Sequence, residues 1–335
     1  MALTTSGTVG TTVIDVTTLI EHAFRRCGKM PSTISGEQQT GAMESLFFLL
    51  TDLVNDGVSL WCIQKSVIPL VAAQTVYVMP PGTSDVISCN YRTQTAETNG
   101  SEIAAAGWRG LSFVSAVIPT NAQITFSIAC TPTLVIEYSL DSGVTWIQAA
   151  AFDRRQTSLA AGDSISADVD NSAAATYWRV RDTSGTLAAV SALTFNYGPS
   201  EVPMTQMNRD DYFSLPNKTF QATKSLQYWF DKQIAPQIWL WPVPSAADQL
   251  AIEYHRQIQD VGSLNNLIEV PQRWYEYVIF GLACRVAVEL PPGELPADRL
   301  PYLESKAEYH LQRAADGESD GAPIRLQPAI RGYTK

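Results

Sequence analysis

Residues 35–54 read SGEQQTGAMESLFFLLTDLV, and residues 74–78 read QTVYV. Between them the hydrophobic period changes, and that change decides the fold class. In the first stretch Ala42, Leu46, Leu49, Leu50, Leu53 and Val54 recur at helical spacing. Ser35 and Gln38 stand ahead of them at capping-box spacing, and Asn55-Asp56-Gly57 ends the run. The second stretch is β-branched and aromatic, closes at Pro80-Pro81 and reads as a strand. Asp85–Cys89 reads as another.

Working upstream, Thr18 and Glu21 have the spacing of a further capping box, which predicts Thr18 as the cap of a first helix. Leu19, Ile20, Ala23, Phe24 and Cys27 fall on its apolar face, and Gly28 and Pro31 stop it. Far downstream the helical period returns. Pro271 suits a first turn, and Trp274, Val278, Ile279, Leu282, Ala283 and Val286 form a stripe. After Pro291-Pro292-Gly293, a second stripe runs through Leu300, Leu303, Ala307, Leu311 and Ala314, with Gly317 as its expected end. The tail beyond it carries Gly and Pro and a basic end, and reads as extended until bound.

Between these helical ends the chain looks all-β. No lysine occurs between Lys65 and Lys218, and from about Thr93 to Pro199 the chain is rich in Ala, Ser and Thr. Strand-like runs there are 123–128, 134–138, 145–148, 177–181 and 192–197, which suggests an inserted β-sandwich. Further on, 238–244 and 249–255 read as a hairpin with Pro242, Pro244 and Ser245 in its turn. The expected fold class is α+β. A four-helix bundle from the N- and C-terminal helices joins a central β domain that carries an inserted, immunoglobulin-like all-β sandwich. The expected domains are 1–93 plus 201–317 as a discontinuous core, 94–200 as the insert, and 318–335 as an extended tail.

Composition narrows the function. The 335 residues carry 23 Lys+Arg against 33 Asp+Glu, a net charge of −10, with 45% hydrophobic and 17% charged residues. That balance fits a folded core and excludes a general nucleic-acid-coating protein, which needs a basic footprint. Cys27, Cys62, Cys89, Cys130 and Cys284 form no C-x-x-C pair and read as reduced thiols of a protein made in a cytoplasm. The N-terminus lacks a signal-peptide pattern, and no run of ~18 apolar residues suggests a membrane span.

No catalytic motif was found: no G-x-S-x-G, no phosphate-binding loop, no H-E-x-x-H. His22, His255 and His310 lie far apart, so a general base is the weaker reading beside ordinary structural positions. Asp163, Asp168, Asp170 and Asn171 lack the glycine and distal glutamate of a calcium loop and read as a solvated turn. Asp210-Asp211 reads as an extended or turn pair whose carboxylates diverge. Arg25-Arg26 with Lys29 suits the negative end of a helix dipole, with contact to phosphate or an acidic partner as the functional reading. Ser139–Trp146 matches S-x-D-x-G-x-T-W and resembles the Asp-box, a hairpin turn of sialidases and other β domains that lies away from catalysis. Tyr228, Trp229, Trp239 and Trp241 read as core or interface, with a sugar platform as the alternative. Alternation sends Trp239 and Trp241 to one face and Ile238 and Leu240 to the other.

Four pieces, taken in order, resemble a known family. They are the N-terminal helix pair with Gly57–Trp61 and Val76–Pro80; Asn208–Tyr212 with Leu215–Lys218; Ile238–Pro244 with Glu253–Arg256; and Val270–Trp274 with Gly281–Ala283. Together they resemble the head-to-tail adaptors of short-tailed bacteriophages, also called tail tubular, packaged-DNA stabilisation or head completion proteins. The resemblance covers roughly 15–90 and 202–317. It implies a structural virion protein at the head-tail junction, assembled in host cytoplasm, with no enzymatic activity and no cofactor or metal. The implied partners are further copies in a dodecameric ring, the portal protein, tail nozzle, fibre or tailspike proteins, and genomic DNA passing through the lumen without sequence-specific binding. No membrane is implied. The tail would dock on the portal through Ile324, Arg325, Arg331, Tyr333 and Lys335. Arg25, Arg26 and Trp274 would serve the bundle interface, and Trp239, Trp241, Pro242 and Pro244 the packing or tail interface of the β domain. The competing expectation is a glycan- or cell-surface-binding β protein, with a glycosidase third.

Overall fold

The computed structural model describes residues 13–55, 60–97, 99–152, 158–169, 173–291, 293–296 and 298–318. The chain is mixed α+β and divides into two compact units, Met1–Cys62 with Ile258–Lys335, and Ile63–Gln257. No helix among the described residues is long and apolar enough to cross a membrane.

In the first unit α1 (Val16–Cys27), α2 (Gly36–Asn55), α4 (Tyr275–Glu289) and α5 (Arg299–Glu318) share one apolar core. The cap of α1 is Asp15 and not Thr18: the Asp15 carboxylate accepts the Thr18 N–H at 2.8 Å. The helix thus starts before Thr18, whose amide is one of the orphan donors of the first turn. Glu21, freed from capping, pairs with Arg25 one turn on at 3.3 Å. Gly28 ends α1 in the left-handed region at φ +92°, where a side chain would be strained. The capping box of α2 forms as the spacing predicts. Gln38 N–H donates to Ser35 Oγ and Ser35 N–H to Gln38 Oε1, each at 3.2 Å. All six stripe residues of α2 are buried, as are the six expected on and before α4. Gly281 lets α2 approach α4: a Cβ there would sit 3.1 Å from Leu49 Cδ1. α5 does not stop at Gly317 but runs to Glu318, whose carboxylate is held inside the unit.

The second unit is built on a closed barrel. Its strand order is β1 (Ile63–Pro69), β17 (Gln249–Arg256), β3 (Thr83–Ala96), β11 (Val190–Pro203), β6 (Asn121–Phe126) and β9 (Ser164–Asp168). β9 returns to β1 with Ser166 opposite Val67. A five-stranded sheet, β4 (Gly100–Ala105), β5 (Trp108–Val117), β10 (Ala175–Asp182), β7 (Leu134–Ser139) and β8 (Ile147–Ala151), shares an apolar core with β6, β9 and β11. A four-stranded sheet contains β12 (Thr205–Met207), β14 (Gln227–Asp231), β15 (Gln237–Trp241) and β2 (Val76–Val78), and shares another core with β3 and β17.

Two expectations differ from this arrangement. The expected boundaries of the insert at 93/94 and 200/201 fall inside β3 and β11, which pair with each other through Thr93 opposite Ser200. Strands from 94–200 and strands outside it close the same barrel, because a composition shift marks no break in backbone pairing. The hairpin expected from 238–244 and 249–255 is also absent. β15 pairs with β14 and β2, whereas β17 pairs with β1 and β3. Pro242 and Pro244 have no N–H to extend the ladder. After the cis Trp241–Pro242 bond, β16 (Val243–Pro244) instead pairs in parallel with β13 (Gln221–Ala222).

Candidate interaction surfaces

The antiparallel register of β14 and β15 sets Trp229 directly opposite Trp239. Strand alternation puts Ile238 and Leu240 in the core at 0% exposure and turns Trp239 and Trp241 to the opposite face. The chain itself covers much of that face and leaves Trp239 and Trp241 half-buried. α3 (Arg209–Ser214), capped by Asn208, lays Tyr212 against Trp229 and Trp239, with ring centroids 5.4 and 5.5 Å away. The segment expected as an extended or turn pair is therefore helical, with Asp210 and Asp211 in the favourable first turn of α3. Trp241 donates its indole N–H to the Asn217 carbonyl at 3.0 Å, and Phe220 packs on its ring. Trp239 Nε1 is buried with no acceptor among the described residues. Pro242 and Pro244 are buried. Beside the tryptophans lie two rings that sequence reasoning missed, Phe213 against Trp229 and Phe220 against Trp241, each about half exposed. Arg209 and Lys218 lie over the Phe213 ring at 5.6 and 5.9 Å. The signal was present as an apolar residue on the exposed side of an Asn-capped helix.

The basic end of α1 is largely neutralised from within. Arg25 pairs with Glu21, Arg26 with Glu276 at 3.6 Å, and Lys29 with Glu294 at 2.7 Å. Arg26 also lies over the Phe280 ring at 5.1 Å. Trp274 is fully buried and offers no surface, so it is a core residue and not an interface residue. Its indole N–H donates to Glu318 Oε1 at 2.9 Å, and Arg273 Nε donates to the same oxygen at 2.6 Å. Ile324, Arg325, Arg331, Tyr333 and Lys335 lie outside the described residues.

The Ser139–Trp146 hairpin has the geometry its motif implies. Asp141 accepts the Thr145 N–H at 2.8 Å and the Thr145 hydroxyl at 2.6 Å, and Ser139 Oγ accepts the Gly143 N–H at 2.8 Å. The two Thr145 bonds foremost, with the Ser139 hydroxyl donating to Asp141 at 2.7 Å, hold the Asp141 carboxyl down to about 2. Gly143 sits at φ +89°, and Trp146 donates back to its carbonyl. The Trp146 ring carries the Arg179 guanidinium at 3.9 Å, and Trp108 lies on the same guanidinium at 5.2 Å. Glu137, buried beside them, accepts from Arg179 at 2.7 Å and from Arg181 at 2.8 Å. Burial pushes the Glu137 carboxyl up, but the Arg181 and Arg179 bonds outweigh it and hold the pKa below the usual carboxylate range.

The remaining candidates do not converge. His22, His255 and His310 sit on α1, β17 and α5, and His310 is stacked on Phe280. Asp168 accepts from Arg92 and Asn121, and Asp163 from the Ala160 N–H, while Asp170 and Asn171 lie outside the described residues. Among the described residues no group of three or more His, Cys, Asp or Glu side chains could hold a metal ion. A cavity of about 190 Å³ is lined by Glu97, Val117, Ile118, Pro119 and Tyr197, with Glu97 its one carboxylate. No protein-family model matches the chain, and no curated protein matches it.

Proposed function

We propose that the chain is a structural virion protein, a subunit of the head-to-tail adaptor ring that joins portal to tail in a short-tailed bacteriophage. In this reading it retains packaged DNA and forms part of the ejection channel. The observation that carries the reading is the split of the chain. Both terminal segments build one helical unit around a single core, and the middle builds a β unit. The same order of helix pair, β and helix pair carried the resemblance. The finer reading takes α1, α2, α4 and α5 as a four-helix bundle. It takes the five-stranded sheet with β6, β9 and β11 as an immunoglobulin-like sandwich. Copies of the chain, the portal and a tail nozzle, fibre or tailspike protein are its partners, with DNA passing unread through the lumen. The tail after Glu318, 319–335, docks on the portal. On the β unit, the half-exposed Phe213 and Phe220 join the half-buried Trp239 and Trp241 as the tail-facing contact.

Electron microscopy or native mass spectrometry of the full chain mixed with portal tests this. A ring on the portal is the expected result, and a chain that stays monomeric with portal present refutes it. Deleting 324–335 should weaken portal attachment and leave the fold intact. One observation favours a second reading, glycan binding: the half-exposed rings of Phe213 and Phe220. A glycan array with the full chain tests it. The segment 94–200 alone is unsuitable, because its β6 and β9 need β1, β3 and β17 to close the barrel.

A further inference from the structure

α5 carries two stripes. The first, with Leu303 and Ala314 fully buried, faces the core of its own unit. The second is Arg299, Tyr302, Lys306, Tyr309 and Arg313. Its steps of three and four residues are the spacing of a helix–helix packing seam. Tyr302 and Tyr309 are 48% and 51% exposed, large for rings so near a packed helix face. Lys306 holds them in line, its ammonium lying 5.9 Å from one ring centroid and 5.5 Å from the other. Arg299 closes the end of the row, over Tyr302 at 5.6 Å and donating to the Arg26 carbonyl at 2.8 Å. Among the described residues, none of Arg299, Lys306 and Arg313 has a carboxylate at ion-pair distance. Tyrosine and arginine are the residues that protein interfaces concentrate, and this row carries two of each.

The opposite flank of the same helix is acidic. Glu304 and Glu308 are exposed and, among the described residues, also lack an ion-pair partner. At 3.6 residues per turn, Glu304 and Glu308 stand about 200° around the helix from Tyr302 and Lys306. One helix therefore presents a cationic, aromatic flank and an anionic flank on either side of its buried stripe. We propose that the occupant of the cationic flank is a second copy of this chain, presenting its Glu304/Glu308 flank. The contact is heterologous: each copy uses one flank as donor and the other as acceptor, so assembly continues from copy to copy. This rests on the oligomeric part of the adaptor reading and assigns that contact to particular side chains.

The test uses the full chain without portal, followed by sedimentation velocity across a concentration series. Lys306→Glu/Arg313→Glu makes both flanks acidic, and Glu304→Lys/Glu308→Lys makes both basic. Each variant alone should assemble at least about tenfold more weakly than the wild type, because like charges then face each other. An equimolar mixture of the two should recover assembly, since each supplies the flank the other needs. The neutral pair Lys306→Gln/Arg313→Gln should fall between, and unchanged far-ultraviolet circular dichroism shows the fold kept. Wild-type assembly by the Lys306→Glu/Arg313→Glu variant, or a mixture no better than its components, overturns the proposal. So does loss of duplex-DNA binding by that variant with normal self-assembly. A wild-type chain monomeric alone yet forming a ring on portal overturns this contact and leaves the adaptor reading standing.

Discussion

Replacing Glu318 should unseat the end of α5, and the cost can be worked from its partners. The Glu318 side chain is 3% exposed and bonded to Trp274 Nε1 at 2.9 Å and to Arg273 Nε at 2.6 Å. In Glu318→Ala the indole N–H of a fully buried tryptophan loses its acceptor, which costs about 1–3 kcal/mol. Arg273 is 52% exposed, so its guanidinium rehydrates and its share stays below about 1 kcal/mol. The helix also passes through Gly317 to reach Glu318, against a propensity penalty of about 1 kcal/mol, so an unanchored last turn should fray. The expected total is about 2–3 kcal/mol. Glu318→Gln keeps a side-chain oxygen for Trp274 and loses only the charge, so it should cost under about 1 kcal/mol.

Thermal unfolding followed at 222 nm reports the helical unit. Glu318→Ala should lower its midpoint by roughly 10 °C, and Glu318→Gln by no more than about 4 °C. A loss within about 0.5 kcal/mol of zero for Glu318→Ala would refute the anchor. A Gln variant as damaging as the Ala variant would show that the charge, not the indole bond, holds the helix end. Glu318 ends α5 and directly precedes 319–335, so under the adaptor reading Glu318→Ala should weaken portal attachment even where the tail sequence is intact.

Other expectations follow from the β unit. Asp141 is depressed to about 2, so the stability it contributes is present above the unfolded carboxylate value near 3.9 and lost as pH falls through about 2. Asp141→Asn should therefore flatten the acid limb of stability in urea titrations run from pH 6 down to pH 2. Glu137→Ala strands Arg179, whose side chain is only 12% exposed, and should cost about 3 kcal/mol by denaturant unfolding, against under about 1 kcal/mol for a surface pair. Gly110→Ala should destabilise by about 2–3 kcal/mol, because the new Cβ would stand 2.3 Å from the Trp178 carbonyl oxygen of the paired strand. Cys89 is buried, and desolvation pushes its thiol well above the ordinary value, so it should resist thiol reagents at pH 8 until the chain unfolds.

The helices were legible because their signals are local. The Ser35/Gln38 box and the α2 stripe each lie within a single helix, and the Trp274–Val286 stripe lies within α4 and the turn before it. The failures were of choice between nearby signals or of pairing at a distance. Asp15 and Thr18 are both good caps, and nothing in the periodicity chooses between them until Val16 is seen to be buried. Trp274 counted correctly as one of a buried stripe, yet its N–H needed an acceptor, and Glu318 is far away in sequence. The second α5 stripe was overlooked because tyrosine, lysine and arginine do not register as apolar, although their spacing was plain.

Strand partners were the least legible, and the barrel shows why. Along β17 the sequence QLAIEYHR alternates cleanly, which identifies a strand and its two faces but not what each face meets. Leu250, Ile252 and Tyr254 enter an apolar core, as alternation suggests. Gln249 does not face solvent. Its amide donates to Asn121 and Gln123 on β6 and to Ser166 on β9, strands that are not neighbours of β17, so these bonds cross the barrel interior. Gln94 on β3 donates to Gln249 Oε1 at 2.7 Å, and Asn196 on β11 to Asn121 at 3.2 Å. Slipping β17 by one residue would drive Leu250 into this amide cluster and Gln249 into the apolar core, leaving buried donors without acceptors on both sides. The amides thus fix the register of strands drawn from both sides of the composition boundary. The low charge and high Ala, Ser and Thr content of 94–200 therefore marked the part of the chain that supplies β6 and β9 to the barrel, not a module separable from it.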